Sequence, residues 1–121
     1  MRLLRSQLPL MNVASAIAAL GALAQEHRLS LFRMLVQAGS DGMTAGAIAN
    51  RLSVPNSSLS FHLAQLRVAG LITQERRHRS LIYRADYQAM NGLVEFLTEN
   101  CCGGVDCAAP AVKTPRQRKT A

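Results

Sequence analysis

Acidic residues are scarce in this chain. Seven Asp and Glu stand against fourteen Lys and Arg over 121 residues, a formal charge of +7. That balance favours a polyanionic partner, nucleic acid before a membrane surface. No apolar run approaches the ~20 residues that span a bilayer, and no sustained apolar stretch follows Met1-Arg2-Leu3-Leu4-Arg5 as an export signal would require. A cytoplasmic protein with no membrane partner is therefore expected. The few acids are scattered, no Asp/His/Ser constellation appears, and no His base lies near the cysteines, which argues against an enzyme and against any catalytic cofactor.

Cysteine is absent before residue 101 and then concentrated, as Cys101, Cys102 and Cys107. In a reducing compartment such a cluster reads as metal-binding or redox-active more readily than as a structural disulfide. Adjacent thiols plus a third across Gly103-Gly104 can converge on one soft ion, the glycines allowing the backbone to reverse. Spacing alone leaves a trivalent metalloid, a soft metal and a redox switch open.

The length fits one domain, expected over residues 1–107 with a basic, disordered tail over 108–121. Leu10, Ala14, Ile17 and Gly21 recur at helical spacing within 10–25. A second helix is expected over 26–38, burying Leu29, Phe32, Leu35 and Val36. Thr44 caps a short helix to about Leu52, and the turn Ser53-Val54-Pro55-Asn56 leads into a helix over 56–69 that stops at Gly70. Two short strands, 71–75 and 80–84, bracket Arg76-Arg77-His78-Arg79, and Asp86 caps a last helix to about Asn100.

Two short helices joined by a tight turn, then a basic hairpin, predict a winged helix-turn-helix: mainly α, with five helices and a two-stranded wing. On the second helix of the pair Leu59, Leu63 and Leu66 form one stripe with His62 on its flank, while Ser57, Ser60, Phe61 and Ala64 fall opposite. That outward face carries no acid. Asn56 matches adenine, the hydroxyls of Ser57, Ser58 and Ser60 suit phosphates or base edges, and Phe61 suits a thymine methyl. Arg76, Arg77 and Arg79 of the wing suit phosphates or a narrowed minor groove. These eight residues are the expected contacts to double-stranded operator DNA. His62 and His78 read as packing and hydrogen-bonding residues, not ligands.

From about Leu20 to Asn100 the chain resembles the ArsR/SmtB family of winged-helix repressors. The likeness is strongest from Ser57 to Ile72, covering a recognition helix and its following Ala69-Gly70-Leu71, and extends to Arg28–Leu35 and to Arg79 with Tyr83-Arg84. The resemblance implies a homodimer built on the first and last helices, with Ala14, Ile17, Met90, Leu93, Val94 and Leu97 at the interface, that keeps promoters shut until a metal or metalloid binds. Two departures stand out. Pro55 replaces a usual Ser before the recognition helix, moving the expected cap to Asn56, and Arg77-His78 stands where the wing tip usually has Gly.

Family members sense ions at different places. A Cys-x-Cys site near the helix-turn-helix is absent, since residues 44–54 contain no Cys. A zinc site on the last helix is poorly served, since Asp86, Gln88, Glu95 and Glu99 come without a His. Asn100-Cys101-Cys102 followed by Cys107 resembles an arsenite-responsive subgroup. As(III) and Sb(III) take three thiolates in a pyramid, so either fits as inducer at Cys101, Cys102 and Cys107. Cadmium, lead, copper(I), methylarsenite and a redox response remain alternatives. A vicinal Cys101–Cys102 disulfide would be strained, because neighbouring Cα atoms lie ~3.8 Å apart, inside the usual ~4.4–6.8 Å range. Met90, Leu93, Val94 and Leu97 form an apolar stripe that Cys101, four residues on, is expected to continue.

Overall fold

The first helix, α1 (Val13–Leu23), begins where Asn12 and Ser15 cap each other. Asn12 Oδ1 accepts from the Ser15 amide at 2.8 Å, and Ser15 Oγ accepts from the Asn12 amide at 3.0 Å. The chain is seen in a computed structural model that describes residues 11–104; Leu10, Cys107 and the tail over 108–121 lie outside the described residues. The inward face of α1 is made only of small residues, Ala16, Ala19 and Ala22, whereas Ala14, Ile17 and Gly21 face outward.

Helix α2 (Glu26–Ala38) has the expected bounds, its start capped by Gln25 Oε1, which accepts from the Arg28 amide at 2.9 Å. Its buried residues are Leu31, Phe32 and Leu35. Leu29, expected inside, is 45% exposed. The inward stripe is centred on Leu31 and Leu35, and Leu29 lies ~200° around the helix from Leu31.

A 3-10 turn (Gly39–Asp41) leads through Gly42 into β1 (Met43–Thr44). Gly42 has φ +65°, and a Cβ there would lie 2.6 Å from the Tyr83 carbonyl oxygen, so only glycine fits. Thr44 Oγ1 then accepts from the Ala47 amide at 3.2 Å, capping α3 (Ala45–Leu52) as expected. Ser53, left-handed at φ 57°, closes α3, and α4 follows (Asn56–Val68).

Gly70 turns the chain at φ +80° into a hairpin of β2 (Ile72–Arg77) and β3 (Ser80–Ala85). The sheet is three-stranded, in the order β1-β3-β2, because Met43 and Thr44 pair with Tyr83 and Ile82. The expected wing thus gains a strand too short to carry any alternation in sequence. Helix α5 (Tyr87–Thr98) is capped by Asp86, whose Oδ1 accepts from the Ala89 amide at 3.1 Å. The Tyr87 hydroxyl donates to the Val36 carbonyl at 3.0 Å, joining α5 to α2.

Leu31, Leu35, Ile48, Leu59, Leu66 and Leu71 are the fully buried centre of the core. They come from α2, α3, α4 and the entry to β2, so the core holds the helix-turn-helix pair and the wing root as one unit. Among the described residues no helix is long and apolar enough to cross a membrane.

Candidate nucleic-acid interface

Helix α4 turns Leu59, His62, Leu63 and Leu66 into the core and leaves Asn56, Ser57, Ser60 and Phe61 exposed, with Ser58 half-buried. Ala64, expected outside, is also half-buried. Pro55, not Asn56, holds the N-cap position, and no side chain caps the helix. Proline's fixed φ suits a helix entry, while the uncapped amides of the first turn remain able to meet an anion. Phe61 is 56% exposed, its ring edge-on to His62 at 5.8 Å.

His62 seats this helix on α2. Its ring lies 5.5 Å from that of His27, and its buried Nδ1 has no hydrogen-bond partner among the described residues. Burial, and then the charges of Arg28 and His27, hold its pKa below the ordinary imidazole value. It packs as the sequence implied, but the hydrogen bond expected with that packing is not made by Nδ1 among the described residues.

The wing sorts its arginines by strand face. Arg76 and Arg77 belong to β2, and only His78 and Arg79 form the turn. His78 takes φ +60°, the left-handed role that glycine commonly fills. The register pairs Thr73 with Arg84, Glu75 with Ile82 and Arg77 with Ser80, so Thr73, Glu75, Arg77 and Arg84 share one face. Gln74 and Arg76 share the other, where Gln74 Nε2 donates to the buried Tyr83 hydroxyl at 2.9 Å.

Sequence reasoning passed over Glu75. Its carboxylate accepts from Arg84 Nη1 at 2.6 Å and lies 3.7 Å from Arg77 Nη2. The Arg84 hydrogen bond, then the charges of Arg77 and Arg84, lower its pKa from the usual carboxylate value. Its position two residues before Arg77 on a strand was the available signal.

An exposed face of small polar groups beside an arginine-rich hairpin is a DNA-reading arrangement. Comparison with known proteins agrees with it. Residues 23–75 match the family model described as a helix-turn-helix domain. The chain is 31% identical over 91 residues to the transcriptional activator HlyU of Vibrio cholerae, covering 75% of this chain and 82% of that one. A solved ArsR-like transcriptional regulator from Rhodococcus sp. RHA1 superposes with a TM-score of 0.65 at 26% identity, covering 83% of this chain and 91% of that one. The chain belongs to the ArsR family of transcriptional regulators. A second solved structure, of a possible transcriptional regulator for arsenical resistance, has a TM-score of 0.60 at 25% identity, covering 79% of this chain and 97% of that one. Members of this family are DNA-binding regulators and not enzymes.

In this ArsR-family chain the outer faces of α1 and α5, which pack against each other, carry an apolar ridge. Val13, Ile17 and Leu20 on α1 and Val94 and Leu97 on α5 are all exposed. Ala14 is exposed and Met90 half-buried, but Leu93 is buried within its own subunit. Val13 and Leu20 were not singled out in sequence, although they stand at i and i+7 about Ile17.

The cysteines follow α5 differently from expectation. The helix stops at Thr98, and Asn100 turns the backbone at φ +56°. Cys101 therefore leaves the apolar stripe and lies exposed in a 3-10 turn (Cys101–Gly104). Glu99 has already left helical geometry at ψ 130°, and Asn is among the few residues that accept the left-handed conformation that follows. Cys102 and Gly103 are left-handed too, at φ 55° and 68°. The Sγ atoms of Cys101 and Cys102 are 3.5 Å apart. That is far beyond a sulfur–sulfur bond of ~2.05 Å, so the pair is not a vicinal disulfide. Two thiolates ~2.3 Å from one ion lie at most ~4.6 Å apart, so both could bind the same soft ion. Cys102 is disulfide-bonded in this structure, so the two thiolates are available to an ion together only once that bond is reduced. Among the described residues no three His, Cys, Asp or Glu side chains group as a metal site; Cys107 lies outside them.

Proposed function

We propose that this regulator is a repressor that holds operator DNA as a homodimer and releases it when As(III) or Sb(III) binds the thiolates of Cys101, Cys102 and Cys107. The observation that carries the reading is the pair of sulfurs 3.5 Å apart in a turn immediately behind α5, a pair that reduction of the bond at Cys102 makes available as thiolates. That helix carries two of the five exposed residues of the apolar ridge, so a ligand gathering the turn acts next to the surface on which two subunits would join. Likeness to a possible regulator for arsenical resistance supports it. The relative named an activator bears on the sign, since repression or activation follows from where an operator lies relative to the promoter.

DNA is read by Asn56, Ser57, Ser58, Ser60 and Phe61 in the major groove and gripped by Arg76, Arg77 and Arg79 on the wing. The homodimer joins through the α1–α5 ridge, with Ala14, Ile17, Met90, Val94 and Leu97 at or beside the seam and Leu93 behind it. Changing the relative tilt of the two subunits would mismatch the wings to their half-sites, and a coupling of ~1–3 kcal/mol suffices to change affinity five- to 150-fold. The test is a mobility shift with each cysteine replaced in turn by Ser, titrated with arsenite, antimonite, cadmium and zinc. Arsenite should release DNA from the reduced protein and fail with every variant. Three variants that release DNA at unaltered arsenite concentrations would remove the site.

One observation favours a second reading. The disulfide at Cys102 suits a redox-responsive regulator on the same scaffold. Release of DNA by peroxide but not arsenite, reversed by dithiothreitol, would select it.

A further inference from the structure

We propose that Glu75 is a positioning residue for DNA binding, which sets the strength and salt sensitivity of the wing's grip through Arg77 and Arg84. The inference rests on the reading of the wing as a DNA contact. It begins from a mismatch of charge: the wing bears one acid among its arginines, on the same strand face as Arg77 and Arg84.

The two arginines hold Glu75 unequally. Arg84 Nη1 is 2.6 Å away, and the same side chain donates from Nε to the Ser40 carbonyl at 2.7 Å, in the turn between α2 and β1. Arg84 thus pins the Glu75 carboxylate to the body of the domain. Arg77, at 3.7 Å, is held loosely, and the side chains of Arg77 and Glu75 are 54% and 49% exposed. An ion pair of that kind is weak and exchanges readily with solvent ions.

A phosphate that recruits Arg77 must therefore compete with a carboxylate that does not move. Whichever partner Arg77 takes, Glu75 stays behind on Arg84, facing the same polyanion. With Glu75 the three side chains sum to +1; without its charge they would sum to +2. Since each phosphate neutralised steepens the fall of log K with log salt by ~0.9, the acid holds the wing below its full electrostatic grip. The sequence-independent part of binding is the part it restrains.

The experiment uses the full chain and a short duplex of random sequence, with binding followed by fluorescence anisotropy over a salt series. Glu75→Gln keeps an acceptor for Arg84 and removes only the charge. It should bind about fivefold tighter at low salt, with a slope steeper by up to about one per subunit. Glu75→Asp, which keeps the charge, should match the unaltered protein. In a background of Arg77→Gln the gain should fall to the small part that comes from removing the acid's own repulsion, because the arginine released by Glu75→Gln is no longer there. An affinity and slope unchanged by Glu75→Gln, or a gain undiminished in the Arg77→Gln background, overturns the proposal. If Arg77→Gln alone leaves binding and slope unchanged, the wing is not a DNA contact, and it is that underlying reading that falls. A melting temperature for Glu75→Gln close to that of the unaltered protein separates the loss of charge from loss of fold.

Discussion

The recognition helix and the cysteine turn are both short segments that end in chemistry, yet they are built in opposite ways. Helix α4 has four residues in the core and displays its polar face because the other face is fixed. The cysteine turn has Cys101, Cys102 and Gly103 all exposed, and its shape comes from consecutive left-handed residues, not from packing. A reader of DNA must present the same groups to every site, so it is mounted rigidly. The ligand trap proposed for the cysteine turn gains from being assembled by its ligand, and costs the fold little when empty.

That contrast makes graded predictions. Leu66→Ala removes a fully buried side chain from beneath the recognition helix and should cost ~2–5 kcal/mol in urea denaturation. DNA binding should fall with it. Asp86→Ala removes the cap of α5 and should cost ~1 kcal/mol, by the same measurement.

A smaller, graded effect should follow pH. His62 has a lowered pKa in the fold, so below the ordinary imidazole value the unfolded chain binds the proton more readily. The stability this confers on the neutral form is complete above about pH 6.5 and declines as pH falls towards the folded pKa. His62→Gln should flatten that part of a stability–pH curve, and an unchanged curve would remove the assignment. Smallest of all, Cys101→Ser should shift stability by no more than about 0.5 kcal/mol, since the residue is exposed. A cost comparable to that of Leu66→Ala would mean the turn is part of the core, and the contrast would collapse.

Much of the rigid half could be read in the sequence. The bounds of α2, the caps at Thr44 and Asp86, and the Leu59–Leu63–Leu66 stripe follow from local chemistry that tertiary contacts reinforce. What escaped was decided at longer range. Leu29 and Leu31 are equally apolar, and only the placement of neighbouring helices determines that Leu31 is inside. Hydropathy likewise inverts on α1, where Ile17 faces out and Ala19 faces in, because pattern alone cannot separate a core from a surface awaiting a partner. The pairing of β1 depends on Gly42 fitting against Tyr83, a contact forty-one residues away in the chain. At the cysteines the helical period carried the stripe on to Cys101, whereas the helix ended at Thr98, with Glu99 extended and Asn100 left-handed after it.

The alanine face of α1 has a consequence for how such a protein could change over time. With Ala16, Ala19 and Ala22 against the core, the helix works as a thin shim whose thickness is set by three methyl groups. Any larger side chain there would lift α1 bodily, carrying the ridge of Val13, Ile17 and Leu20 outward without altering a single residue on it. In the dimer proposed above, the spacing between two wings, and hence the length of DNA that suits them, is adjustable from inside the domain, at positions outside the proposed DNA contacts.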